Sequence, residues 1–467
     1  MRIPEWRLAA LCSLALTVGA CGSSDLAGDL PPNAAASGTA TLKCALPASG
    51  SEFEARDAEA LNLDPAAVAE ATRYADLTNA VSIRVYRYGC LAGTGALDPL
   101  TGGIPNNVWS TTKGVVSLLT GRAAQLGYLD LDDPIGKYVT EADAEHGAVT
   151  IRQMLTQSSG LRFVWTGDLN LGNPDSVRYT LALPFDFAPG TEFTYGQSTV
   201  TLLAHTVERA VGEDLQAFAQ RELFDKVGIA RDDWFWLRDR AGHTHGYAFL
   251  FTAPKNLARL GHLMLDRGRW NGEQLLAPEY VSKAGRASST NGFYGYLLWS
   301  NEGDSGYTVE IPDSRELQRP LIASAPRDLF AFVGFLDQIV FVIPSLDMVV
   351  VRTGYPGNYT LELQETLTAH SGKWMHEFFR ILMRGVRDQA IADPGPYVGN
   401  DFVALDLQYF ADPATVLGSL ALGPQAPEDC NLLGCDGGIS YAGLLQAVPD
   451  IVSVILGQLG LPGIEAP

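Results

Sequence analysis

Apolar and polar positions along the chain change period several times, and each change predicts an element. In "AVSIRVYRYGCLAG", residues 80–93, β-branched and aromatic residues alternate with polar ones, which predicts a strand. From Trp109 the stretch "WSTTKGVVSLLTGRAAQLG" turns to a helical period. Val115, Leu118, Leu119, Ala123 and Leu126 share one face there, and Gly127 supplies a stop. Further helices are predicted over residues 150–157, in "TVTLLAHTVERAVG" and in "APKNLARLGHLMLDRG". Strand character returns over residues 329–354, where a turn at residues 344–347 divides two apolar runs in the manner of an antiparallel hairpin. The amphipathic pattern "LELQETLTAHSGKWMHEFFRILMRGV" follows, and no internal repeat is present.

Strands at both ends with helices between them predict an α+β fold rather than the alternation of a doubly wound sheet. The expected architecture is an antiparallel sheet flanked by helices, its terminal strands meeting in space, plus an inserted, mostly helical region. Residues 1–21 read as a signal segment, 22–60 as a flexible tether rich in Ala, Gly, Ser, Pro and Asp, 61–395 as the main domain and 396–467 as a C-terminal extension. The closing apolar run "YAGLLQAVPDIVSVILGQLG" is interrupted by Pro449 and Asp450, so it is expected to dock on the domain rather than enter a membrane.

Composition narrows the function classes. A 467-residue chain with 46% hydrophobic and 18% charged residues buries a large core. Its net charge of -20 includes no basic stripe, which argues against nucleic acid as a partner. At the N-terminus, Arg2 and Arg7 flank "LAALCSLALTVGA", an apolar run too short to span a bilayer, and "VGAC" ends at Cys21. That pattern resembles a bacterial lipoprotein signal, with Cys21 as the lipidated residue. Export to the cell envelope, facing the periplasm or cell surface, is therefore expected, with membrane contact only through the lipid. An oxidising compartment suits the remaining cysteines, Cys44, Cys90, Cys430 and Cys435. Four cysteines allow three pairings, and the spacing of "CNLLGC" favours Cys44 with Cys90 and Cys430 with Cys435. No Cys or His spacing indicates a metal, and His243 and His245 in "GHTHG" are expected to be solvated loop residues.

The helix opening at Ser110 carries the candidate chemistry. Residues i and i+3 share a helix face, so Lys113 can bring its amine to the Ser110 hydroxyl. Serine needs a base to act as a nucleophile, and an amine serves when burial pulls its pKa down from ~10.4. The N-H groups at a helix start also favour a developing oxyanion. The plain alternative is that Ser110 caps a helix and Lys113 is solvated. Lysine is rare in this chain, however, and no other serine has one three residues on.

The surroundings of this pair resemble a known group of enzymes. "VWSTTKGVVSLLTGRAAQLGYLDLDDPIGKYV", "VTIRQMLTQSSGL" and "PGTEFTYGQSTVTLLAHTVERAVGEDLQAFAQRELFDKVGI" are similar, in order and spacing, to the β-lactamase-related serine hydrolases. That superfamily includes class C β-lactamases, DD-peptidases, class VIII-type esterases and nylon-oligomer hydrolases. The resemblance covers about residues 75–385, and "YGYLLWSN" and "VVVRTG" look most like the esterase and amidase branches. It implies Ser110 as nucleophile, Lys113 as the activating amine and Tyr195 as the second-motif tyrosine, which shares the base role and protonates the leaving group. A neighbouring ammonium is expected to favour the Tyr195 phenolate. Two departures stand out. The second motif reads "YGQ", with Gln197 where an asparagine is usual, and the third reads "FVG", residues 332–334, with no lysine or histidine. Close backbone approach at Gly334 and an oxyanion N-H from Phe335 remain compatible with that motif.

The implied activity is hydrolysis of an uncharged small-molecule ester or amide through an acyl-enzyme, most like a carboxylesterase, with no metal or organic cofactor. D-peptide amidase or peptidase action and weak β-lactamase action are the alternatives within the class. A catalytically idle envelope protein that binds cell-wall peptide or a partner protein is the alternative outside it. The tetrapeptide "GDSG", residues 303–306, matches the nucleophile context of trypsin-like proteases, but none of the seven histidines has the matching context. A GxSxG elbow is absent from the sequence.

Overall fold

The computed structural model describes residues 43–163, 165, 175–309, 314–355 and 372–398. Cys21, the Cys430 and Cys435 pair and nearly all of the 396–467 extension lie outside the described residues. Six strands form one antiparallel sheet: β1 (Ala80–Arg87), β2 (Cys90–Thr94), β3 (Trp299–Ser300), β4 (Phe330–Gly334), β5 (Gln338–Ile343) and β6 (Met348–Gly354), in the order β2-β1-β6-β5-β4-β3. The ends of the domain meet in the middle of this sheet, since β1 pairs with β6 from Ala80 opposite Gly354 to Arg87 opposite Met348. Five longer helices complete the frame: α1 (Pro65–Leu77), α2 (Thr111–Gln125), α3 (Gln197–Val211), α4 (Pro254–Leu265) and α5 (Gly372–Arg384).

Side chains on a strand point alternately to the two faces, and here both faces are covered. On one face Ile83, Val85, Ile339, Phe341, Ile343, Met348 and Val350 pack with Val68, Ala71 and Ala75 of α1 and with Trp374, Phe378, Phe379 and Leu382 of α5. On the other, Tyr86, Phe332, Val340, Val342, Val349 and Val351 join the core that contains α2, α3 and α4. The polar positions of β1 are consequently buried rather than wet. Arg84 bonds Asp98 at 2.8 Å and Glu52 at 2.9 Å, because a covered guanidinium needs internal acceptors.

Three expectations change. Residues 43–60 belong to the domain and not to a tether: Phe53 is buried in the main core, Arg56 donates its N-H to Leu91, and Ala58–Leu61 forms a helical turn. Apolar residues with partners in the core override a loop-like composition. On α2, Leu126 is exposed while every residue from Thr111 to Ala123 is buried, so this helix is surrounded rather than one-sided. His245 is buried as well, its ring 5.6 Å from that of Tyr247 and 5.5 Å from that of Phe249, and that burial pulls its pKa down to about 4.

The disulfide joins Cys44 to Cys90 as expected, with Cα atoms 5.2 Å apart, and fastens the N-terminal segment to β2. Replacing both cysteines by alanine is expected to cost about 3 kcal/mol of unfolding free energy, read from the denaturant midpoint. An unchanged midpoint would show that core contacts such as Phe53 hold the segment without it.

Candidate active site

The site lies where the N-terminus of α2 meets the end of β4. Trp109, the residue before the helix cap, has φ 46°, a left-handed conformation uncommon for a bulky side chain. Its N-H is taken by Asn107 Oδ1 at 3.0 Å, and its ring lies 5.5 Å from that of Phe335 and 5.6 Å from that of Phe249. This turn delivers Ser110 as the residue capping α2, yet the Ser110 side chain makes no capping bond. The hydroxyl faces Lys113 instead, with Nζ 2.9 Å from Oγ. The plain helix-cap reading is thereby set aside.

Lys113 is buried, 1% exposed. Besides Ser110 Oγ, its nitrogen is bonded to Gln197 Oε1 and, at 3.0 Å, to the main-chain oxygen of Tyr247. All three acceptors are neutral oxygens. Gln197, the first residue of α3, therefore makes the amide contact from its longer stem. The ring of Tyr195 also reaches the amine, with its centroid 4.7 Å from Nζ, and that of Tyr247 lies 5.7 Å away. Both are cation–π distances.

Tyr195 is where expectation and geometry part. Burial of its phenol, 5% exposed, raises the pKa well above the ordinary 10, and a hydrogen bond with Ser110 only partly opposes this. Burial is the larger of the two effects. That direction favours the neutral phenol over the phenolate that a neighbouring ammonium was expected to favour.

The opposite wall is β4. Phe332 packs against α2 so closely that a Cβ on Gly114 would lie 2.0 Å from its ring. Gly334 approaches the helix start itself, where a Cβ would stand 2.3 Å from Val108 O and 3.0 Å from Thr111 N. Thr111 completes the seam by donating its hydroxyl to Gln338 O at 2.6 Å. Beyond Gly334 the chain turns through Phe335–Asp337, with Leu336 and Asp337 at φ 59° and 60°.

Three supporting residues carry no readable sequence signal. Gln157 grips Gly196 with both ends of its amide, at 2.8 and 3.1 Å, and so sets the entry into α3 between Tyr195 and Gln197. Arg352, fully buried on β6, donates to Asp337 O, Thr78 O and Tyr355 O at 3.0, 2.6 and 2.7 Å, and burial lowers its pKa to about 10. It braces the turn that carries Phe335 from inside the sheet. Tyr247 contributes a carbonyl, which any residue type possesses.

This is the architecture of serine hydrolases that place an SxxK helix against a helix-covered antiparallel sheet. The β-lactamase family model matches residues 78–353, more than half of the chain, and the chain belongs to that family within the β-lactamase-related serine hydrolases. The 6-aminohexanoate-dimer hydrolase of Paenarthrobacter ureafaciens is 22% identical over 262 residues, covering 52% of this chain and 64% of that one. Esterase EstB of Burkholderia gladioli is 31% identical over 142 residues, 26% of this chain and 36% of its own. Monacolin J acid methylbutanoyltransferase of Aspergillus terreus is 26% identical over 171 residues, 31% and 41% respectively. The chain thus spans less than two thirds of the length of each of these three relatives. Among solved structures, a putative β-lactamase from Bacteroides dorei shares the fold, with a TM-score of 0.52 and 16% identity over 68% of this chain and 98% of that one.

Two outcomes are expected from this geometry. Gly334→Ala should lower turnover at least about ten-fold, because its φ of -121° suits alanine but the added Cβ would press on Val108 O and on Thr111 at the helix start. Because the Tyr195 pKa is raised, its phenol should stay protonated through pH 10. The phenolate absorbance of wild type and Tyr195→Phe should therefore coincide up to that pH, and a difference appearing near neutrality would contradict the burial argument.

Proposed function

We propose that the protein hydrolyses uncharged carboxylic esters through an acyl-enzyme on Ser110. The observation that carries this reading is the buried amine 2.9 Å from the Ser110 hydroxyl, with Gln197 and Tyr247 as its other acceptors. A neutral Lys113 donating to those two oxygens presents its lone pair to Ser110. As Oγ bonds the carbonyl carbon, the hydroxyl proton moves to Nζ, and the ammonium that forms lies over the Tyr195 and Tyr247 rings. The N-H groups of Ser110 and Phe335 receive the oxyanion. Tyr195, protonated at rest, passes its proton to the leaving alkoxide and is recharged from Lys113. Water then attacks the acyl group by the reverse relay and frees the acid.

Preference for a neutral ester rests on the third motif, where Phe332 is packed against α2 and no cation stands to meet a β-lactam carboxylate. Relatives whose names denote an esterase and a methylbutanoyl transfer agree with acyl chemistry at such a serine. Amide cleavage is the second reading, favoured by the similarity to a 6-aminohexanoate-dimer hydrolase. For the setting, we propose export and a lipid anchor at Cys21. The signal-like N-terminus and the Cys44–Cys90 bond suit an oxidising compartment, and no helix among the described residues is long and apolar enough to cross a membrane.

The test is hydrolysis of p-nitrophenyl butyrate, the matching p-nitroanilide and a chromogenic cephalosporin by wild type, Ser110→Ala and Lys113→Met. Ester turnover should exceed the other two and fall at least about a thousand-fold in either variant. A Ser110→Ala enzyme that keeps most of its activity would sink the mechanism. Dominant anilide cleavage would establish the amidase, and rapid cephalosporin cleavage would mean that the missing cation is supplied from elsewhere. Silence on all three, with no acyl adduct by mass, would leave an idle binding protein.

A further inference from the structure

Away from Ser110, α3 brings a second set of reactive side chains together with the loop before Tyr247. His205 and Glu208 lie one turn apart on α3, and one ligating atom from each lies within 4.8 Å of the others and of one from His243. The two imidazole rings stand 4.9 Å apart at 83°.

His205 is the informative member. It is 8% exposed, its Nε2 is paired with Glu141 Oε1 at 3.0 Å, and its Nδ1 is buried with no hydrogen-bond partner. A buried ring nitrogen without a partner is costly, and native proteins rarely leave one. A histidine held by a carboxylate on one nitrogen and turned inward with the other is how metal-binding imidazoles are oriented. His243 is braced in the same manner: Asp175 Oδ1 lies 3.4 Å from its Nε2, and its main-chain N-H bonds Asp239 Oδ1 at 2.8 Å. Asp239 is itself fixed by the N-H and hydroxyl of Ser176, at 2.7 and 2.6 Å. Glu208 accepts the N-H of Leu215 on Oε2 at 3.0 Å, and a carboxylate has capacity for further bonds.

We propose that His205, Glu208 and His243 form a three-ligand zinc site, with His205 binding through Nδ1 and the fourth position left to water. Two imidazoles and one carboxylate are a donor set that suits zinc and not calcium or magnesium, which prefer oxygen alone. Tetrahedral ligation sets donor atoms about 3.4 Å apart, so side-chain rotations of about an ångström close the set around the ion. The expectation of solvated loop histidines is replaced here, because long-range folding gives His243 partners that its own loop lacks.

The site is distinct from the Ser110 centre but joins the two segments that hold Lys113. Gln197 begins the helix that bears His205 and Glu208, and Tyr247 follows His243 by four residues. Binding the ion would tie α3 to that loop whatever reaction Ser110 performs.

The test is metal analysis of the full-length protein after dialysis against zinc and then against metal-free buffer, together with thermal melts. Wild type is expected to retain one zinc per chain and to lose at least about 5 °C of Tm on chelation, restored by zinc. His243→Ala and Glu208→Gln should lose the zinc and show no chelator effect. Wild type without stoichiometric zinc overturns the proposal before any variant is needed, so a variant that misfolds does not protect it. Zinc retained by a folded His243→Ala, or calcium bound instead, overturns it equally. Esterase activity is not the readout, so failure here leaves the Ser110 reading untouched.

Discussion

Burial of one amine organises this protein. A lysine side chain inside a core is costly to charge and costly to leave without acceptors, so Lys113 is tolerable only where oxygens converge on it. Oxygens that meet it come from Ser110 at the start of α2, from the first residue of α3 and from the loop that leads into residues 250–252. Each of those segments must be held elsewhere. Gln157 fixes the entry to α3, and α2 is pressed against β4 with no room for a side chain at Gly114. The same burial raises the pKa of the Tyr195 phenol beside it.

Much of this was legible in the chain, and the limits have physical causes. The SxxK helix and the strand at residue 80 announce themselves by their apolar period, and the hairpin of β5 and β6 by two apolar runs about a turn, although the structure buries these elements on both sides. The pairing of Cys44 with Cys90 followed from counting and spacing. Sequence reasoning failed where a contact uses the main chain, as with Tyr247, or a residue distant along the chain, as with Arg352 and Gln157. It also failed where composition stood in for packing: residues 43–60 look like a linker but carry Phe53 into the core. The meeting of His205 and His243 depends on how α3 lies beside a later loop, which no local pattern encodes.

Residues 332–334 combine a closely packed backbone with no charged side chain. Phe332, Val333 and Gly334 offer no cation, but Gly334 still brings the strand against the start of α2, and the turn after it is braced from behind by Arg352. Backbone geometry, which acyl chemistry needs for its oxyanion, is supported separately from side-chain charge, which sets what substrate is welcome.

The pairing of β1 with β6 has a consequence for how the molecule comes into being. Ala80 finds its partner only at Gly354, after the whole helical insertion has been made. During synthesis β1 has β2 alone beside it, and its other edge waits, apolar and unpaired, until the last hairpin emerges. Such a chain closes late and slowly, because its central contacts span nearly the entire domain. A nascent or truncated form ending before Met348 would expose a sticky strand edge. Keeping the polypeptide unfolded until it is complete therefore suits this topology better than folding it piece by piece.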